Sequence, residues 1–290
     1  EIEALMKEHE KTLANIAEYN EILSNRAAMA KVIIRELEAY KKEYGRPRRT
    51  VIDNLKEAVV EEKKIEEMDV VFLMDRFGYA KTVDVSVYER NKEAADTENR
   101  YILTCKNTDK ICIFTNKGQM HLLKVLDLPY GKFRDKGIPI DNLSNYDSSE
   151  ENFIYIINLG AIIHSRLLFG TKTAMLKMVD GSEFYVAKRT TASTKLNEDD
   201  ELLIVHAMTG EETVVMQSEK EMFLRIEAST IPEKKKGAVG VRGMKLNAGD
   251  ALSNIYVLDG ESEQTVEVKG KEVVLNRLRV GNRDTKGTKR

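Results

Sequence analysis

A mainly β fold, a propeller-like array of about five small sheets behind an α-helical coiled-coil arm, is expected from three features of this chain. From about residue 70, one pattern returns at a period of roughly 40 to 55 residues, the range of propeller-like blades. It consists of an apolar strand, a short polar turn, a second strand ending in a basic residue, and a loop rich in Lys, Arg and Gly. Ile111–Lys124 is the clearest copy, Val71–Lys81, Leu167–Lys177 and Val214–Arg225 are related, and Val266–Arg277 is fainter. The second feature is a heptad-like seam of apolar residues near the start of the chain. The third is that β-branched and aromatic runs broken by Gly, Asn and Asp fill the remainder, with no long helical period. The expected division is 1–65, helical arm and connector, and 66–290, β domain.

In the arm, Ile2, Met6, His9, Leu13, Ile16, Asn20 and Leu23 follow alternating four- and three-residue steps. Ser24-Asn25 interrupts the seam. A second helical stretch carries Val32, Ile33, Leu37 and Tyr40 and stops at Gly45 before Arg46-Pro47. One seam cannot bury itself, so a partner helix is expected, either upstream in a longer protein or in a second copy. The chain opens at Glu1 in mid-helix and reads as a piece of such a protein. His9 and Asn20 either set the register of the seam or lie on a partly exposed edge. Arg46-Pro-Arg-Arg-Thr50 reads as a basic hinge and Val51–Met68 as a charged connector. Strand signals start at Asp69-Val-Val-Phe-Leu. Arg76-Phe77-Gly78, Asn116-Lys117-Gly118 and Asp180-Gly181 read as hairpin turns.

Composition excludes several classes. With 46 Lys+Arg against 48 Asp+Glu the net charge is −2, so a polyanion partner can be argued only from local clustering. Cys105 and Cys112, the two cysteines, do not form a CxxC and read as buried free thiols in a reducing compartment. No apolar run reaches bilayer-spanning length and no signal peptide is evident, so a cytoplasmic location away from membrane is expected.

Catalytic patterns are lacking. His9, His121, His164 and His206 show no metal-ligand spacing, and His121 and His206 fit structural strand positions. There is no Walker A loop and no GxSxG. Gly237-Ala-Val-Gly240-Val-Arg-Gly243 is not the dinucleotide fingerprint and no helix follows it. Asp199-Asp200 and Glu211-Glu212 read as solvated loops.

The positive loops carry the signal. After the second strand of successive units come Lys132, Arg134 and Lys136; then Lys188, Arg189 and Lys195; then Lys234, Lys235, Lys236, Arg242 and Lys245; then Arg279, Arg283 and Lys286, with Lys289 and Arg290 beyond. Each cluster falls at a similar phase of its repeat. A closed array would therefore set them along one rim, where Lys and Arg neutralise phosphates and Gly131, Gly137, Gly237 and Gly287 let backbone amides approach. No helix suited to a major groove is present, so binding is expected to ignore base sequence and follow bendability. A rival reading is a propeller-like scaffold for proteins, marked by an exposed apolar patch and no salt-dependent DNA affinity.

Phe77-Gly-Tyr-Ala-Lys-Thr82, Phe114-Thr-Asn-Lys-Gly118, Leu128-Pro129 with Lys136-Gly-Ile-Pro-Ile-Asp-Asn-Leu143, and Gly240-Val-Arg-Gly-Met-Lys-Leu246 before Gly249-Asp250 resemble the C-terminal β-pinwheel of bacterial type IIA topoisomerase A subunits. Glu8-His-Glu-Lys11 through Ile33-Ile-Arg-Glu-Leu37, then Tyr44-Gly45 and Arg48-Arg49-Thr50, resemble the returning coiled-coil arm of that family. The resemblance thus covers essentially the whole chain. It implies sequence-independent binding and bending of double-stranded DNA, A-subunit dimerisation in the intact protein, and an ATPase B subunit in the holoenzyme. The parent enzyme would use Mg2+ and ATP; this piece is expected to need no cofactor and to hold no catalytic residue. Gyrase A subunits have a Gln-Arg-Arg-Gly-Gly-Lys-Gly box in the first blade, whereas Asn91–Glu98 is acidic and lacks glycine. That departure points to topoisomerase IV, with gyrase the alternative.

Overall fold

A computed structural model describes residues 1–50 and 65–290, and the chain divides into two compact units, Glu1–Lys63 and Lys64–Arg290. Most of the connector read at Val51–Met68 lies outside the described residues.

The first unit holds helices α1 (Ile2–Ser24) and α2 (Arg26–Tyr44), which contact each other. They part at Asn25, whose backbone is extended (φ −121°, ψ 110°) and whose Oδ1 accepts from Ala27 N at 2.9 Å, capping α2. The expected seam is helical throughout, yet neither helix buries a residue: Ile2, Met6, Leu13, Ile16, Leu23, Ile33, Leu37 and Tyr40 are all exposed.

The second unit is built from hairpins that exchange strands. It begins with β1 (Asp69–Met74) and β2 (Tyr79–Asp84), helices α3 (Val85–Arg90) and α4 (Lys92–Glu98), and β3 (Tyr101–Lys106). Next come β4 (Lys110–Thr115), β5 (Gln119–Lys124), β6 (Ile138–Pro139) and β7 (Phe153–Asn158), then α5 (Leu159–Ile162). β8 (Arg166–Thr171), β9 (Met175–Asp180), β10 (Thr190–Ala192) and β11 (Leu202–Met208) follow. The chain continues through β12 (Thr213–Ser218), β13 (Met222–Glu227), β14 (Val241–Arg242) and β15 (Leu252–Leu258) to β16 (Thr265–Val268), β17 (Lys271–Val274) and β18 (Thr288–Lys289).

Four four-stranded sheets result, ordered β3-β1-β2-β6, β10-β5-β4-β7, β11-β8-β9-β14 and β15-β12-β13-β18. The faintest copy forms a two-stranded hairpin, β16-β17. The strand that follows each later hairpin does not stay with it. β6 leaves the β4-β5 hairpin to pair Ile138 with Ala80 of β2, β10 pairs Thr190 with His121, β14 pairs Val241 with Leu176, and β18 pairs Thr288 with Phe223. Each hairpin thus supplies the fourth strand of the sheet before it. On the opposite edges β3, β7, β11 and β15 adjoin one another in succession, so these strands are inner and β6, β10, β14 and β18 are outer.

Apolar clusters fill the spaces between consecutive sheets. Phe72 and Met74 meet Ile111, Ile113 and Ile156, and Phe114 meets Phe169, Phe184 and Leu167. Leu176 and Met178 meet Met216, Leu224 and Ile255 in the next interval. The last residue of each hairpin turn is left-handed: Gly78 (φ 87°), Gly118 (72°), Ala174 (64°), Glu221 (63°) and Gly270 (75°). Asp180-Gly181 is not a hairpin turn. The turn of that unit is at Ala174, while Gly181 opens a 3-10 turn against α5, where a Cβ would fall 1.7 Å from the Ile162 carbonyl oxygen.

Candidate nucleic-acid interface

The basic clusters occupy one structural slot. Each precedes or flanks an outer strand, in the segment that passes from one hairpin to the free edge of the sheet before it. Lys132, Arg134 and Lys136 lie on the first sheet, Lys188, Arg189 and Lys195 on the second, Lys234 to Lys236, Arg242 and Lys245 on the third, and Arg279, Arg283 and Lys286 on the fourth. The sequence assigned each cluster to its own unit; strand exchange carries it one sheet back.

Not all of these charges are free. Arg242 is paired with Asp284, its Nη2 donating at 3.3 Å, and the partners hold each other's charged forms: Asp284 titrates below the usual carboxylate range and Arg242 above its own. Arg283 Nη1 donates to the Arg242 carbonyl (2.9 Å). Lys236 Nζ donates to the Glu183 carbonyl (3.1 Å) and Lys235 lies 3.5 Å from the Glu183 carboxylate. These four cations serve the fold. Lys132, Arg134, Lys136, Lys188, Arg189, Lys195, Lys234, Lys245, Arg279 and Lys286 are exposed and have no ion-pair partner among the described residues.

The glycines divide likewise. Gly137, Gly240 and Gly287 each introduce an outer strand, and a Cβ on them would sit 2.6, 2.6 and 2.7 Å from the carbonyl oxygens of Ala80, Leu176 and Phe223. Gly131 is closed off by Asp135 at 2.5 Å. Close strand packing, not access to a ligand, therefore explains Gly137 and Gly287, and the Asp135 carboxylate shields Gly131. Gly237 alone of those read as phosphate approaches meets nothing within 4 Å.

Three basic side chains read only as strand ends turn inward. Lys177 is 1% exposed, and its Nζ donates to the carbonyls of Lys235 (3.2 Å), Lys236 (2.8 Å) and Ala238 (2.6 Å). Burial lowers its pKa to about 8. Lys81, at the same place in β2, donates to the carbonyls of Phe133 and Asp135 (2.9 Å to the latter). Arg225 donates to those of Asn276 and Leu278. A signal was available: Lys81 and Lys177 both occupy the third position of a second strand, and Lys177 lies between the apolar residues Leu176 and Met178.

In the second sheet this position holds His121, buried, with Nε2 donating to Glu151 Oε1 at 2.6 Å and Nδ1 3.0 Å from Thr190 Oγ1. His206 is half-buried in β11, and burial lowers its pKa. Among the described residues no group of His, Cys, Asp or Glu is placed to hold a metal, and no helix is long and apolar enough to cross a membrane. Both thiols are buried, which pushes Cys105 to about 11 and Cys112 to about 12. The acidic pairs are not simply solvated. Asp200 is buried and accepts from Thr173 N (3.0 Å), and Glu212 is buried and accepts from Thr209 N (2.6 Å) and Gly210 N (2.7 Å), each closing a turn.

The family model of the DNA gyrase C-terminal domain, a β-propeller, matches residues 165–206 and 212–259, which contain β8–β10 with most of β11, and β12–β15. The chain is 29% identical over 308 aligned residues to the DNA gyrase A subunit of Staphylococcus epidermidis, covering 100% of this chain and 34% of that protein. It is 29% identical over 307 residues to the DNA gyrase A subunit of Lawsonia intracellularis, covering 99% and 37%. It thus spans about a third of the length of these curated relatives. The C-terminal domain of DNA topoisomerase IV superposes with a TM-score of 0.69 at 22% identity, covering 77% of this chain and 73% of that one. That of DNA gyrase A does so at 0.52 and 17%, covering 76% of each. With its strand-exchanged sheets and these likenesses taken together, the second unit has the β-pinwheel fold of the C-terminal domains of type IIA topoisomerase A subunits, proteins to which the chain is also similar in sequence.

Proposed function

We propose that the outer edges of the four sheets bind double-stranded DNA without reading its sequence, bend it, and present a segment for ATP-dependent strand passage by a bacterial, cytoplasmic type IIA topoisomerase. One observation carries this reading: exposed, unpaired Lys and Arg recur on the outer edge of four consecutive sheets. Bending 20 to 30 base pairs through 40 to 90° costs on the order of 1 to 6 kcal/mol, too much for one cluster but within reach of several acting together. The DNA contact itself is proposed to need no metal or other cofactor. In this reading the intact enzyme supplies Mg2+, ATP, A-subunit dimerisation and the ATPase B subunit.

Topoisomerase IV, acting in decatenation and relaxation, is the preferred assignment. Among the described residues no sheet precedes the first hairpin, and where later units have an exchange loop this one has α3 and α4, so Lys92–Glu98 is an acidic helical segment rather than a basic glycine loop. Gyrase is the second reading, favoured by the names of the sequence relatives. The full-length A subunit with its ATPase partner separates them: negative supercoiling of relaxed circles would establish gyrase.

DNA binding is tested by fluorescence anisotropy on random duplexes of about 30 base pairs across a salt series. About six phosphate contacts give a log–log slope near −5. Lys188→Glu with Arg189→Glu should weaken binding about tenfold or more on every sequence and flatten the slope. Binding that is absent at low salt, or indifferent to salt, would overturn the reading.

A further inference from the structure

Resting on the DNA-binding reading and deepening it, we infer that the exchange loops at 131–137 and 234–240 are backbone phosphate sites organised from beneath by Lys81 and Lys177. The two loops are built alike. Tyr130 bridges to Thr82 and Glu233 to Met178, and each loop ends on a glycine packed against the second hairpin strand. Counting from those bridges, Phe133 corresponds to Lys236 and Asp135 to Ala238. These are the residues whose carbonyls receive the ammonium of Lys81 or Lys177.

A trans peptide sets its C=O and the following N–H on opposite sides. Drawing the carbonyls of Phe133, Asp135, Lys236 and Ala238 inward therefore turns the N–H groups of Arg134, Lys136, Gly237 and Val239 away from the ammonium. None of these four N–H groups has an acceptor among the described residues. Alternate amides facing one way make a concave anion site, and the side chains of Arg134, Lys136 and Lys234 add charge around it. Gly237 leaves the approach open, since a Cβ there would touch nothing within 4 Å. The second sheet lacks this device, because Thr190 pairs directly with His121 and Leu122 N donates to the Arg189 carbonyl at 2.7 Å, leaving no arched loop. The fourth lacks the lysine, with Leu224 in its place. The ligand is a phosphate oxygen, and the proposed source is the DNA backbone.

Amide NMR on the 290-residue chain reads the site directly. Random duplex DNA should shift Arg134, Lys136, Gly237 and Val239, and inorganic phosphate should shift the same amides more weakly. Phosphate shifts without DNA binding would uphold the anion site while refuting the DNA reading. DNA binding that leaves these amides unmoved would overturn the site alone. Gly237→Pro removes one donor without changing charge, so affinity should fall about tenfold at an unchanged salt slope, whereas Gly237→Ala keeps the donor and the affinity. Lys177→Met, at a side chain too buried to reach DNA, should abolish the phosphate shifts of Gly237 and Val239. Undiminished phosphate shifts in that variant would refute the organising role of Lys177.

Discussion

The second and third sheets solve one problem in two ways. In both, a strand from the following hairpin must be held on an outer edge. The third sheet lets the incoming chain arch over the edge and fills the arch with the Lys177 ammonium under three carbonyls. The second brings the chain in directly, as β10, and locks it through His121, Thr190 and Glu151. The arch turns carbonyls inward onto an ammonium and leaves amides outward, whereas at the second sheet the Arg189 carbonyl is taken by Leu122 N of the sheet itself. Sheets alike in topology thus present different chemistry to whatever lies along the rim.

The sharpest break in this comparison is at the point where the outer strand begins. Gly240 has φ 108° and no room for a Cβ, whereas Thr190 occupies the second sheet's edge with a side chain. Gly240→Ala should cost about 3 kcal/mol or more, from steric overlap and a left-handed backbone together, against about 1 kcal/mol for Thr190→Ala. Urea unfolding of each variant checks the ranking, and equal losses would mean the two edges are closed alike.

Next in size are the anchors themselves. Lys177→Met leaves three carbonyls without their donor and should cost about 2 to 3 kcal/mol, while Glu151→Gln, which keeps an acceptor for His121, should cost about 1. Chemical denaturation at neutral pH compares them. A Glu151→Gln loss exceeding that of Lys177→Met would reverse the proposed order of importance.

The smallest effect lies where the two sheets meet. Lys117, in the second sheet's hairpin turn, and Lys172, in the third's, both donate to Glu201, at 2.7 and 2.6 Å. These hydrogen bonds lower the Glu201 pKa from 4.5 to about 2. A carboxyl depressed by folding adds stability above its unfolded pKa and loses it as pH falls, here between about 4.5 and 2. Both lysines are about half exposed, so screening limits the contribution to about 1 kcal/mol. Glu201→Gln should flatten that part of the acid limb in a pH series of thermal unfolding; an unchanged limb would remove Glu201 from the account.

The helical break at Asn25, the strand copies, the turns at Gly78 and Gly118 and the common phase of the basic clusters were all legible, because each rests on neighbours a few residues apart. Harder to see was which charges are spent on the fold. Arg242 with Asp284 and Lys235 with Glu183 are pairs more than 40 residues apart in sequence, joined only because strands change sheets. Asp200 and Glu212 misled for a different reason: a carboxylate that caps backbone amides in a turn looks, in sequence, like one facing water.

Periodicity and turn chemistry were thus enough to specify repeating hairpins, a two-helix arm and loops of positive charge, since local spacing governs all three. The assignment of each outer strand to the preceding sheet, the inward turn of Lys81 and Lys177, and the sorting of rim cations into paired and free came from packing between units. Those outcomes depend on contacts across some 40 to 60 residues, where burial and the pairing of backbone groups, rather than any neighbouring residue, select the partner.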